Sequence, residues 1–325
     1  METRALRVIS DAELLSSLKQ YTALSKLDIS RCPNLRELPP DICGLAVLTE
    51  LGIWSCPQLT LLPESLGLLT ALRTLEISAC EMLSRLPESL GHLSALSNLN
   101  ISLMSLTALP ESLGQLAALR TLCISECGFL AGLPDTTRNL TGLTELHVAR
   151  CQSIVEFPEW LGSLTSLRHL DMHMCLYLTR LPEAIGQLTA LETLNLVHCV
   201  KLQQLPSTLN QLAALTSLRI YGCYALITLP NGLEQLTSLK FLEIDNCCNL
   251  IQLPLAFVDL SDRNVCIFMQ HGLRAVLFPP QSVVEKGSNA ISRYLRRHFQ
   301  IYVLILAARR RHLHHLPNEV WVNLF

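Results

Sequence analysis

The feature that most constrains this chain is a proline that keeps returning. A large apolar residue followed by proline occurs at Pro39, Pro63, Pro87, Pro110, Pro134, Pro158, Pro182, Pro206, Pro230 and Pro254. Eight of the nine intervals are 24 residues, and the ninth, Pro87 to Pro110, is 23. A register held over ten copies excludes a fold assembled from unrelated elements. Each copy must be one structural unit laid on the one before it.

The copy at residues 72–93 shows what the unit is. Leu75 and Ile77 alternate with Thr74, Glu76 and Ser78, so a short strand has one apolar and one wet face. Leu72, Leu83, Leu86, Leu90 and Leu93 continue the apolar set. Burying each such side chain stabilises by roughly 1.5–3 kcal/mol, while ordering each backbone residue costs roughly 1–2 kcal/mol. One copy alone does not fold, but stacked copies share a continuous core. The pattern predicts an α/β leucine-rich-repeat solenoid: a right-handed horseshoe, with a parallel sheet on the concave side and short helices or turns on the convex side. Ten strands about 4.8 Å apart make a wall of roughly 45 Å.

Proline suits the first position of a short helical turn, where no amide donor is needed. The Pro-Glu-Ser-Leu-Gly words at 63–67, 87–91 and 110–114 put Glu early in that turn, favourable for its dipole. Gly67, Gly91, Gly114, Gly162 and Gly186 are expected to allow a left-handed turn before the chain re-enters the core.

Cysteine usage follows the same period. Of thirteen cysteines, Cys32, Cys56, Cys80, Cys127, Cys151, Cys175, Cys199, Cys223 and Cys247 each stand three residues after the last strand hydrophobe. At an inward position a thiol behaves as a small hydrophobe with a weak donor. They are expected to be packed rather than paired, which fits a reducing, cytoplasmic compartment. The net charge of −2 gives no global bias toward nucleic acid. No signal-peptide layout opens the chain, and no apolar run reaches membrane-spanning length.

The chain divides into a degenerate N-terminal cap at 1–21, with Leu6, Val8 and Ile9 as a possible strand and 11–18 as a helical turn; about ten repeats at 22–260; a C-terminal cap strand and helix at 261–299; and a basic, apolar tail at 300–325. The copy at Leu96 ends in Ser102-Leu103-Met104-Ser105, lacks the cysteine and is one residue short. A local change of curvature is expected there, with Leu103 exposed. Residues 265–269 read as a last strand. Val283, Val284, Gly287, Ile291, Tyr294 and Leu295 recur at helical spacing and read as a cap helix.

The string LTxLxxLxIxxCxxLxxLPExLGxL at 70–93 resembles the repeats of plant disease-resistance receptors and of the intracellular Ras-group leucine-rich-repeat proteins. Phe278-Pro279-Pro280 and the residues after it resemble the segment that closes Ras-group arrays, and Leu316 to Phe325 resembles the opening line of an F-box. The resemblance implies protein recognition, in signalling or innate immunity. No P-loop of the GxxxxGK[ST] type and no kinase signature set is present, so this is not a complete resistance receptor.

The wet strand positions line the wall. One row across it reads Asp28, Gly52, Glu76, Asn100, Cys123, His147, Asp171, Asn195, Arg219, Glu243. Cys123, His147 and Asp171 stand in the order nucleophile, base, orienter. No oxyanion donor accompanies them, and strand amides are already bonded in a parallel ladder, so no catalytic residue is assigned. His147, His169, Asp171 and His173 have zinc-ligand chemistry, but alternation along one strand sets successive members of His169, Asp171 and His173 about 7 Å apart and splays them; no metal or other cofactor is assigned. The expected partner-binding set is Trp54, Glu145, His147, Arg150, His169, Asp171, His173, His198, Arg219, Tyr221, Phe241, Glu243 and Asp245, because aromatic and Arg side chains anchor protein interfaces. Residues 285–325 carry Lys286, Arg293, Arg296, Arg297, Arg309, Arg310 and Arg311 against Glu285 and Glu319, a net +5 (7 − 2), which offers a minor route to an anionic surface. The expectation is a non-catalytic protein-binding scaffold of the cytosol; the alternative is a substrate-recognition subunit for ubiquitin transfer.

Overall fold

The computed structural model describes residues 5–8, 18, 21–250 and 265–268. Twelve parallel strands form one sheet in chain order. They are β1 (Ala5–Val8), β2 (Lys26–Ser30), β3 (Glu50–Trp54), β4 (Thr74–Ser78), β5 (Asn98–Ser102), β6 (Thr121–Ser125), β7 (Glu145–Ala149), β8 (His169–Asp171), β9 (Thr193–Asn195), β10 (Ser217–Arg219), β11 (Phe241–Glu243) and β12 (Cys266–Phe268). β2 to β11 are the strands of the ten predicted copies. β1 and β12 extend the ladder with the strands expected around Leu6, Val8 and Ile9 (Ile9 lies outside the described residues) and at 265–269. The helical turn expected at 11–18 (Leu18 apart), the C-terminal cap helix and the tail lie outside the described residues.

The core is the stack of apolar columns that the period predicts. Leu72, Leu75, Ile77, Leu83, Leu86, Leu90 and Leu93 are all buried, and so are their counterparts along the described array except Leu133, which is half-buried. The cysteines of the ladder are buried and free. Toward the C-terminal half each thiol donates to a strand carbonyl of the preceding copy: Cys175 to Val148 at 3.0 Å, Cys199 to Met172 at 3.1 Å, Cys223 to Leu196 at 3.2 Å. In the irregular copy Met104 takes the cysteine's place and is buried, whereas Leu103 is exposed, as expected.

The residue just before each ladder position has left-handed backbone. Arg31, Ser55, Ala79, Leu103, Glu126, Arg150, Met174, His198 and Asn246 have φ of 53–60°, and Gly222 has 69°. Left-handed backbone costs a residue with a Cβ roughly 1–2 kcal/mol. The turn lets the sheet ladder run one bond further: the Ala79 amide donates to the Ser102 carbonyl at 3.1 Å and the Arg150 amide to that of His173 at 2.8 Å.

The convex side corrects two expectations. Its elements are 3-10 turns of three to five residues, such as Glu64–Leu68 and Glu88–His92. Pro63 and Pro87 precede these turns with extended backbone, rather than occupying the first helical position. The glycines Gly67, Gly91, Gly114, Gly162 and Gly186 are not left-handed; among the described residues only Gly222 and Gly232 are glycines of positive φ. What they supply is clearance. A Cβ on Gly67 would stand 2.5 Å from the Ser89 carbonyl oxygen, and one on Gly162 2.5 Å from that of Ala184. Successive turns pack backbone against the bare glycine.

The glutamate of each Pro-Glu word also acts between copies. Glu64 accepts the amide of Ser89 at 3.0 Å, Glu88 that of Ser112 at 3.1 Å and Glu159 that of Ala184 at 2.8 Å. Each carboxylate satisfies an orphan donor at the start of the next turn. Glu183 accepts from Ser207 and Thr208. Desolvation alone would push its carboxyl up, but these bonds outweigh it and hold it below the ordinary value.

Candidate functional site

The wall is built by register. β5 to β8 place Asn100 beside Cys123, Cys123 beside His147 and His147 beside Asp171; β8 to β11 continue with Asn195, Arg219 and Glu243. A second row sets Glu145 beside His169, His169 beside Thr193 and Ser217 beside Phe241. Leu146, Leu170, Leu194 and Leu218, the intervening residues, are buried below them. Strand alternation therefore aims these polar side chains away from the core.

The most connected part is a chain of carboxylates and imidazoles. His147 stands between Glu145, 3.6 Å from its Nε2, and Asp171, 3.8 Å from its Nδ1. At those lengths the contacts are charge attraction rather than hydrogen bonds. Asp171 Oδ1 also accepts from the His173 amide at 3.0 Å and lies 2.9 Å from the His173 Nδ1. The Asp171 carboxylate raises the His147 imidazole above its ordinary value; burial opposes this, and Glu145 adds to it. For Asp171, burial pushes the carboxyl up, but His147 and the amide and ring of His173 outweigh it and hold the carboxyl low.

This geometry does not make a nucleophile of Cys123. Burial raises its thiol first, and the Asp171 charge raises it further, the reverse of activation. His147 offers its Nε2 to Glu145 and its Nδ1 to Asp171, so both ring nitrogens are turned to carboxylates. Among the described residues, no three His, Cys, Asp or Glu side chains are grouped to hold a metal ion. His169 points its Nδ1 to the Thr193 hydroxyl, 2.9 Å away.

The remaining expected residues fall on the wall or its lip. Arg219 donates to Glu243 at 2.7 Å. Tyr221 meets His198 edge-to-face, with ring centroids 4.9 Å apart. Arg150 and His198 occupy the left-handed position beyond the strand ends, and Arg150 pairs with Glu126 at 3.4 Å. Phe241 and Glu243 are half-buried and Asp245 is buried. Trp54 lies apart, on β3, with its indole across Gly52: a Cβ there would run into the ring. Sequence reasoning left Gly52, Glu126 and Thr193 out of the candidate set. The signal was present, since Gly52 and Thr193 share a register row with chosen residues, but the pairing was not.

A family model described as a leucine-rich repeat region matches residues 89–177 and 162–255, together more than half of the chain. The chain belongs to the leucine-rich-repeat family. A second such model matches residues 23–45. No curated protein matches the sequence significantly. Among solved structures, this leucine-rich-repeat chain is similar to the leucine-rich-repeat domain of the type III effector XopL, at 24% identity over 82% of this chain and 76% of that one, with a TM-score of 0.46. It is similar to a TDR receptor at 18% identity, covering 82% of this chain and 53% of the receptor, with a TM-score of 0.51. Toll, from the Drosophila Toll–Spatzle complex, matches at 18% identity over 85% of this chain and 39% of that one, with a TM-score of 0.58. These likenesses concern the fold. Among the described residues no helix is long and apolar enough to cross a membrane.

Proposed function

We propose that this leucine-rich-repeat protein is a non-catalytic protein-binding module that engages its partner on the concave wall, in intracellular signalling or immune-type recognition. The family is one of interaction scaffolds. The observation that carries the reading is the contrast within the wall. β4 and β5 present Thr74, Glu76, Ser78, Asn98, Asn100 and Ser102, whereas β7 to β11 present His147, Asp171, Arg219, Phe241 and Glu243, with Tyr221 just past the end of β10. Buried columns repeat from copy to copy because they serve the fold; the wall varies from copy to copy in charge and size, as a surface free to be shaped by a partner does. Anchors of this kind contribute most when a partner covers them completely, and Tyr221 and Phe241, half-buried in the free chain, keep surface to be covered.

The test is affinity capture with the full chain, followed by the double substitution Tyr221→Ala and Phe241→Ala. The expected outcome is a captured partner whose affinity falls more than tenfold on substitution, the loss of about 1.4 kcal/mol, while the thermal midpoint stays near wild type. Retained affinity would move the binding surface off this wall.

A further inference from the structure

We propose that the array is jointed between the repeats of β6 and β7, so that the copies before and after this junction move as two blocks. The argument comes from the convex turns. Where a turn carries the Pro-Glu-x-x-Gly pair, as at Glu64/Gly67, Glu88/Gly91, Glu111/Gly114, Glu159/Gly162 and Glu183/Gly186, the next turn packs closely against it. Four of these five glutamates also accept a backbone amide of the next turn. Where the glycine is lost the glutamate is lost with it: Pro40 with Cys43, Asp135 with Arg138, and Ser207 with Asn210. At each of those three junctions the turns pack less closely.

The two outer exceptions are compensated. Ile42 and Leu209 keep the buried apolar position of the turn. At Asn210 the following turn makes room with Gly232, where a Cβ would stand 2.6 Å from the Asn210 side-chain nitrogen. The central exception is not compensated. Thr137 takes the leucine position, is fully buried, and its hydroxyl has no partner. Asp135 is one methylene too short to repeat the glutamate's bond; its Oδ1 accepts instead from the Trp160 indole at 3.0 Å. The other side-chain link between the two convex turns is from the Ser163 hydroxyl to the Arg138 carbonyl at 3.1 Å, and both of these links are solvent-exposed. The remaining side-chain bonds between the two copies, such as Arg150 to Glu126, Ser153 to the Gly128 carbonyl and Thr144 to the Arg120 carbonyl, lie toward the ladder side of the copies. On the concave side the ladder is intact, with Glu145 donating to Arg120 and Glu126 to Ala149, each at 3.0 Å. A junction loose outside and bonded inside bends about its ladder.

The placement has a consequence for the wall. Cys123 and His147 face each other across this junction. On the β6 side stand Thr121, Cys123 and Ser125, small and uncharged; on the β7 side the carboxylate–imidazole chain begins. Bending there changes the angle between these two surfaces, whether or not either binds a partner.

The test measures distances by double electron–electron resonance on the full chain. Thirteen cysteines rule out thiol labelling, so spin labels go on genetically encoded keto amino acids at exposed turn positions. One pair, at Asn139 and Gln187, spans two copies across the joint; the other, at Leu68 and Gln115, spans two copies within a block. The expected result is a broader distance distribution for the first pair, narrowed to the width of the second by combining Asp135→Glu, Thr137→Leu and Arg138→Gly. Equal widths in the wild-type protein would overturn the proposal. If the triple variant failed to fold, the wild-type comparison would still decide, and Arg138→Gly alone would serve as the narrowing variant.

Discussion

A single methyl group, added at two glycines, is expected to move stability in opposite directions. At Gly67 the new Cβ would stand 2.5 Å from the Ser89 carbonyl oxygen and 2.8 Å from the Ser89 Cβ. Comfortable contacts between heavy atoms lie near 3.5 Å, so the two turns must part by about 1 Å, and the obstacle is backbone rather than a pliable side chain. Overpacking of this kind costs about 1–3 kcal/mol. At Gly44 a Cβ would meet nothing within 4 Å, and the residue is exposed with no positive φ. There Gly44→Ala restricts only the unfolded chain and stabilises by about 0.4–1 kcal/mol. Thermal unfolding followed by circular dichroism separates the two, since each kcal/mol moves the midpoint of a chain of this size by roughly 2–4 °C. Gly67→Ala is expected to lower it by several degrees and Gly44→Ala to raise it slightly. Gly186→Ala meets the same kind of obstacle, with the Thr208 Cβ at 2.7 Å and the Thr208 carbonyl oxygen at 2.8 Å, and is likewise expected to lower the midpoint. If Gly67→Ala were neutral, or if both substitutions moved the midpoint the same way, the spacing of the turns would not be set by the missing side chain.

Three further outcomes are expected. Thr137→Val removes a buried hydroxyl that has no partner and is expected to stabilise by about 1 kcal/mol, read as a higher urea midpoint; a loss would mean that the hydroxyl is bonded. His147 is expected to titrate above its ordinary value of 6.5 by NMR, and Asp171→Asn to bring it down. Because its folded value is raised, its pairing supports the fold fully below pH 6.5 and that support is lost as pH rises through the folded value; a titration unmoved by Asp171→Asn would contradict the pairing. Thiol reagents at pH 8 are expected to label exposed Cys248 first and half-buried Cys43 next, and to leave Cys127, Cys151 and Cys247 untouched in the native array. Burial pushes the thiols of these last three up to about 12, 11 and 11. Mass spectrometry of labelled peptides checks the order.

The period made the sheet legible before any coordinate. Leu75 and Ile77 lie beneath Thr74 and Glu76 as alternation requires, the cysteines fall in one buried column, and Leu103 projects where the copy loses a residue. What failed was whatever depends on the neighbouring copy. Gly67 was read through its own backbone, when its meaning lies in the Ser89 carbonyl opposite. Glu64 stands in the first turn as its sequence position implies, but its bond to the next copy was not legible. The left-handed residues were missed because Arg31 and Met174 carry side chains and give no glycine signal. On the wall, Cys123, His147 and Asp171 were placed in the right order, but only the contacts show both imidazole nitrogens committed to carboxylates and the thiol suppressed.

The backbone bonds that join one coil to the next run to a residue about 24 positions away: Thr193 donates to Arg168, and Ser217 to Glu192. Excising residues 193–216 would therefore hand Ser217 the place of Thr193, with Leu218 over the socket of Leu194 and Cys223 over that of Cys199. The backbone ladder between the flanking copies would close again. A molecule assembled on this rule can be lengthened or shortened in whole turns of the spiral without redesign, and its reach becomes something inheritance can adjust by simple duplication or loss.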